Sequence, residues 1–156
     1  MEPAALLGLK DRDQAVVHAS CVAVAGCGLL ITGASGAGKS ALALEMMALG
    51  ACLVSDDRVL LGATQQGILA DAPDTIRGLI EARGLGLLQA ETVGRVRLTH
   101  VLDLDRPEPQ RLPEFREIFL LRHSLPLLFR PDVPHLAASL IQLLKAGRAA
   151  PEALYP

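Results

Sequence analysis

With 156 residues, a formal charge of −2 and a hydrophobic fraction of 51 %, the chain can build one domain with a sizeable core but not two ordinary ones. Aromatic residues make up only 3 % and no basic run occurs, which argues against stacking platforms for bases and against a cationic track for nucleic acid or an anionic membrane surface. No apolar stretch is long enough to span a bilayer.

Cys21, Cys27 and Cys52 are odd in number and show no C-x-x-C spacing, so buried reduced thiols are expected rather than disulfides or a zinc knuckle. The opening MEPAALLGLKDRDQ carries charges where a signal peptide needs an apolar stretch, and a cytoplasmic, reducing location is the default expectation. A single domain over 1–156 follows, with its core from about 16 to 146.

In chain order, VVHASCVAVAGCGLLIT (16–32) predicts two strands joined by a tight turn at AGCG. The glycine-rich ITGASGAGKS (31–40) follows, then KSALALEMMALG, whose Leu42, Met46 and Leu49 recur at helical spacing before Gly50 stops the helix. ACLVSDD predicts a short buried strand ending in Asp56 and Asp57. RVLLGATQQGILADAP predicts a hairpin turning at GATQQG. DTIRGLIEARGLGLLQAE carries too many glycines for one clean helix, and RGLG reads as a loop. TVGRVRLTHVLDLD alternates as a strand, RPEPQRLPEFRE reads as a proline-rich loop, SLPLLFRP as the last strand, and VPHLAASLIQLLKAG as a C-terminal helix before a frayed tail, AAPEALYP.

The strongest chemical signal is the loop, which fits G-x-x-x-x-G-K-[ST] through Gly33, Gly38, Lys39 and Ser40, with Ala34, Ser35, Gly36 and Ala37 between. Glycines let successive N–H groups turn inward onto phosphate oxygens, at the start of a helix whose dipole favours anions. Lys39 is placed to reach β- and γ-phosphates, and Ser40 to offer its hydroxyl to Mg²⁺. Asp56 and Asp57 close the next strand, suited to hold a metal's water shell or to accept a proton; a solvated turn or a helix cap would also put acids there. Adjacent strand residues point to opposite faces, so the two acids are expected to divide their tasks.

His18 is either a structural strand histidine or a catalytic one, whereas His100, His123 and His135 are scattered and read as structural. Glu81 and Arg83, flanking the glycines of IEARGLG, suit an anionic, metal-bound substrate or an exposed ion pair equally.

Taken together, His18 in VHAS, ITGASGAGKS, ALEMMALG, LVSDDRV and IEARGLG resemble the HPr kinase/phosphorylase family over about 17–144, specifically its C-terminal catalytic domain. The resemblance implies an α/β, P-loop-containing fold similar to phosphoenolpyruvate carboxykinase, with a mixed sheet, hairpins flanking the phosphate-loop helix and a C-terminal helix. It implies ATP-dependent phosphorylation of a serine on an HPr-like phosphocarrier protein, and phosphorolysis by inorganic phosphate to give pyrophosphate. Carried over, Lys39 binds phosphate, Ser40 and Glu81 bind Mg²⁺, Asp56 is the base and acid, and His18 and Asp57 match active-site positions, Asp57 being assigned with the metal ligands.

The family's arginine falls in DRPEPQRLPE, where Arg111 in QRLPE fits better than Arg106. The chain resembles a short proteobacterial form lacking the N-terminal domain, and a homo-oligomer is implied. LPLLFRPDVPHL lacks the family's Gly-Arg-Asn turn, which leaves phosphorolysis open. Two other readings are a kinase of a small hydroxylated metabolite, and a nucleotide- or phosphate-sensing module without turnover.

Overall fold

A computed structural model describes residues 2–154. Strands β1 (Gln14–His18), β2 (Ser20–Val24) and β3 (Cys27–Thr32) lead to the glycine-rich loop and helix α1 (Lys39–Ala48). Then come β4 (Cys52–Ser55), β5 (Arg58–Ala63), β6 (Ile68–Asp71), β7 (Leu79–Ala82), β8 (Gly86–Gln89), β9 (Val96–Glu108), β10 (Arg116–Leu120), β11 (His123–Pro131) and helix α2 (Leu136–Ala146). Nine strands form one mixed sheet in the order β1-β5-β6-β9-β3-β2-β4, with β11 parallel to β9 and β10 antiparallel to β11. β7 and β8 form a separate hairpin.

β2 and β3 are buried on both faces, and their alternation divides the core in two. Leu29 and Ile31 join Val22, Leu42, Met46 and Leu140 under the helices. Leu30, Cys21 and Ala23 point the other way, into a cluster with Val59, Leu61, Ile68, Val101 and Leu120. Neither α1 nor α2 contributes to that second cluster, which the strands enclose together with Leu6 of a 3-10 turn at Ala4–Leu6. Burial on both faces explains why these strands read as near-continuous apolar runs.

Most elements follow the sequence pattern, including the β2–β3 hairpin, α1 and its stop before Gly50, the β5–β6 hairpin and α2. Four expectations need correction. VVHAS is a strand of its own, β1, paired with β5, because Ala19 breaks it from β2. The ambiguous IEARGLG segment is the β7–β8 hairpin, with RGLG at its turn.

The proline-rich segment is partly strand: β9 runs on through Arg106–Glu108, Pro107 pairing with Arg130, and Arg116 already begins β10, which the composition hid. Pro107 lies beyond β9's pairing with β3, which ends at Asp103, so its missing N–H disturbs no ladder there. Of the cysteines, Cys21 is buried, but Cys27 is half-buried and Cys52 exposed; none is paired. Burial pushes the Cys21 thiol well above the usual range. The tail carries a single 3-10 turn at Pro151–Ala153, and its last two residues lie outside the described ones. Among the described residues no helix is long and apolar enough to cross a membrane.

Candidate active site

β3 ends at Thr32 in register with Asp103 of the parallel β9, so the glycine-rich loop leaves the sheet beside an acidic strand end. Gly33 is required there: a Cβ would lie 3.0 Å from that of Ala37 and 3.2 Å from that of Leu104. Gly38 caps α1 in the left-handed region, at φ 102°, which turns the chain into the helix. The N–H groups of the first turn of α1 and the positive end of its dipole face a cleft of about 610 Å³. Ser35, Gly36, Gly38, Lys39 and Ser40 line it on one side, and His18, Asp57, Glu81 and Arg83 on the other.

Lys39 is 7 % exposed, and its ammonium donates to the carbonyls of Gly33 and Ala34 at 2.8 and 3.0 Å. Its three donors are thus partly spent on the loop itself, holding the loop's shape. Ala37 N–H donates to the Ala34 carbonyl within the same turn.

Asp56 and Asp57 part company as expected, for a different reason. They lie beyond β4 rather than in it, in a turn where Asp57 adopts a left-handed φ of 74°, a conformation that Asp tolerates better than most residues. Asp56 is buried and accepts three donors: Ser20 Oγ at 2.6 Å, Ser40 Oγ at 2.8 and 3.0 Å, and the Glu81 N–H at 3.2 Å. Asp57 is exposed at the rim, 3.4 Å from His18 Nδ1 and 3.8 Å from Arg58 Nε. β7 alternates so that Ile80 goes into the core while Glu81 is exposed along the cleft.

The structure therefore gathers Lys39, Ser40, Asp56, Asp57, His18, Glu81 and the loop residues in one place. It does not bring in Arg111, which lines a second cavity with Glu108 and Arg116, nor Arg106, whose Nε lies 3.4 Å from Asp103 Oδ2 at the end of β9. Sequence reasoning missed two members of the site. Ser20 was hidden inside an apolar run, and only the β2–β4 pairing brings it to Asp56. Asp105 receives the Ala34 N–H on both carboxylate oxygens, each at 3.0 Å. A signal for it was present: an apolar strand ending LDLD, as an acidic strand end beside a phosphate loop would.

An ATP phosphate chain fits what is present, since the glycine loop, Lys39 and the α1 N-terminus form a concave donor surface. Mg²⁺ fits the donor set, Ser40, Asp57 and Glu81 offering hard oxygens only along this cleft. The Ser40 hydroxyl gives its one proton to Asp56, leaving its lone pairs for a cation.

A family model described as HPr Serine kinase C-terminal domain matches residues 11–103. Proteins named HPr kinase/phosphorylase are similar in sequence: that of Bordetella pertussis is 46 % identical over 88 residues, covering 56 % of this chain and 29 % of its own length. That of Geobacillus sp. is 43 % identical over 104 residues, covering 61 % and 33 %, and that of Azoarcus sp. 39 % over 114 residues, covering 65 % and 36 %. The matched region spans about a third of these relatives. The fold is similar to that of the Hpr(Ser) kinase/phosphatase from Coxiella burnetii, with a TM-score of 0.72, 22 % identity, and 84 % of this chain and 88 % of the other covered.

Proposed function

We propose, from the premise that this chain belongs to the HPr serine kinase C-terminal domain family, that it transfers the γ-phosphoryl group of ATP to a serine hydroxyl of an HPr-like phosphocarrier protein. The observation that carries this reading is the buried carboxylate of Asp56, bonded to Ser40 at the first turn of the phosphate-loop helix. A base and a phosphate cradle within one hydrogen bond of each other are what phosphoryl transfer to a hydroxyl needs, since its catalysis is chiefly positioning and charge stabilisation. The relation in fold to phosphoenolpyruvate carboxykinase belongs to the same reading.

In this reading the loop N–H groups and Lys39 bind the phosphates, and Ser40 and Glu81, with Asp57 beside them, hold Mg²⁺. When bound, that ion neutralises charge developing on the transferring group. Asp56 accepts the seryl proton; running backwards, the same carboxylate returns it to the leaving serine while inorganic phosphate takes the phosphoryl group and pyrophosphate forms. His18 reaches Asp57 and orients the exposed rim. Leu85 and Leu87, strongly exposed on the β7–β8 hairpin beside the cleft, offer the carrier an apolar foothold.

Incubation with ATP, Mg²⁺ and a cognate HPr, followed by mass spectrometry of the carrier, is expected to give phosphoserine, and the product with phosphate alone is expected to give pyrophosphate. Asp56→Asn is expected to abolish transfer while nucleotide binding persists. Intact nucleotide binding with no phosphoserine from the unaltered chain overturns the kinase reading in favour of a nucleotide- or phosphate-sensing module.

A further inference from the structure

A second cavity, of about 520 Å³, lies between α2 and the strands β9 and β11, apart from the phosphate-loop cleft. Its walls are apolar, with Leu102, Leu127, Leu128, Leu140 and Leu143 contributing, and its volume falls within the roughly 300–1,000 Å³ of small-molecule sites. Three guanidinium groups also line it, of which that of Arg111 has a partner of its own. Arg116 is bonded to both oxygens of Glu108 and lies 4.2 Å from the Phe129 ring centroid, so its charge is matched within the protein.

Arg148 is different. It sits 3.8 Å from the Phe115 ring centroid, is half-buried, and among the described residues has no carboxylate partner. Burial and the neighbouring positive charge of Arg116 both disfavour its charged form. A cation held partly out of water beside a second cation gains most from an anion, and a guanidinium matches a carboxylate's two oxygens.

We propose that this cavity binds a small organic monoanion, a carboxylate whose apolar body fills the leucine-lined space while its head pairs with Arg148. Arg148, with no carboxylate beside it among the described residues, calls for an anionic head, and the apolar walls call for a tail. A free inorganic anion satisfies the first requirement alone, and a neutral lipid alcohol the second alone. Nothing in this assignment depends on catalysis in the other cleft.

Calorimetric titration of the whole chain with decanoate, with decanol and inorganic phosphate as the two half-matched probes, tests the assignment. Decanoate is expected to bind, and each of the other two at least about tenfold more weakly. Arg148→Met, which keeps the apolar stem, is expected to weaken decanoate about tenfold or more, and Arg148→Lys to recover part of it, with ATP binding in the first cleft unchanged as the control for folding. Amide shifts on titration are expected in 108–116 and in α2. No binding of decanoate to the unaltered chain, equal binding of decanol, or undiminished binding by a folded Arg148→Met chain each overturns the proposal.

Discussion

Ser20 Oγ donates to Asp56 Oδ1 at 2.6 Å, across 36 residues of sequence and with Ser20 fully buried. A buried carboxylate keeps one orientation only if its lone pairs are met by fixed donors, and Ser20 is one of the three that Asp56 has. Ser20→Ala is expected to slow phosphoryl transfer roughly tenfold, since a hydrogen bond to a charged group is worth about 1.5–3 kcal/mol, while ATP binding changes little. Ser20→Thr, which keeps the hydroxyl, is expected to retain more activity. Steady-state transfer to HPr alongside ATP titration separates the outcomes; equal rates for Ser20→Ala and the unaltered chain would leave Ser20 with packing alone.

Lys39 donates to two loop carbonyls, and its stem is buried with the first turn of α1. Lys39→Met keeps the stem's volume and loses the charge. The rise in melting temperature caused by saturating ATP is expected to vanish in Lys39→Met, because a ligand stabilises only in proportion to its binding. A thermal-shift series against ATP concentration checks this; an undiminished shift would contradict the role of Lys39.

Asp105 places a negative charge on the Ala34 N–H, at the back of a loop read as a phosphate cradle. Asp105→Asn removes the charge and keeps an acceptor. ATP affinity is expected to rise at least about threefold to tenfold at low salt, as two unit charges about 4 Å apart interact by about 1 kcal/mol even in bulk water. The gain is expected to shrink as salt screens it. Equilibrium titration at two ionic strengths reads both effects.

The ion pair of Glu108 and Arg116 predicts a pH dependence of stability. Hydrogen bonding to Arg116 holds the Glu108 carboxyl below its ordinary 4.5, although burial pulls the other way. As pH falls the unfolded chain takes up that proton first, so the contribution is complete above about 4.5 and is lost as pH falls toward the depressed folded value. Glu108→Gln is expected to melt lower than the unaltered chain at neutral pH, and the difference is expected to close in acid. Denaturation at pH 3, 5 and 7 measures it.

The two halves of the molecule were unequally legible. The phosphate loop, α1 and the acid pair stand within 27 residues, 31–57, and each is written in local chemistry: glycines where φ is positive, an apolar period for the helix, acids past a buried strand. The segment 106–116 was not legible, because three prolines mark a loop by composition whereas β9 carries its strand through one of them. Arg111 was assigned to the active site from the resemblance of QRLPE, yet the end of β9 and the following loop carry it to the second cavity.

By itself the sequence determined that a glycine-rich loop of the G-x-x-x-x-G-K-S pattern would sit between a strand and a helix, with acids one strand later. Those features depend on backbone preferences and on periodicity, which act over a few residues. Only the tertiary structure decided which partners those groups would have: Ser20 beneath Asp56, Asp105 on the Ala34 N–H, Asp57 turned away by a left-handed backbone, and Arg148 beside Arg116 over a leucine-lined cavity. Contacts between residues 36 to 71 apart are set by sheet register, and register follows from how all the strands pack together rather than from any one of them.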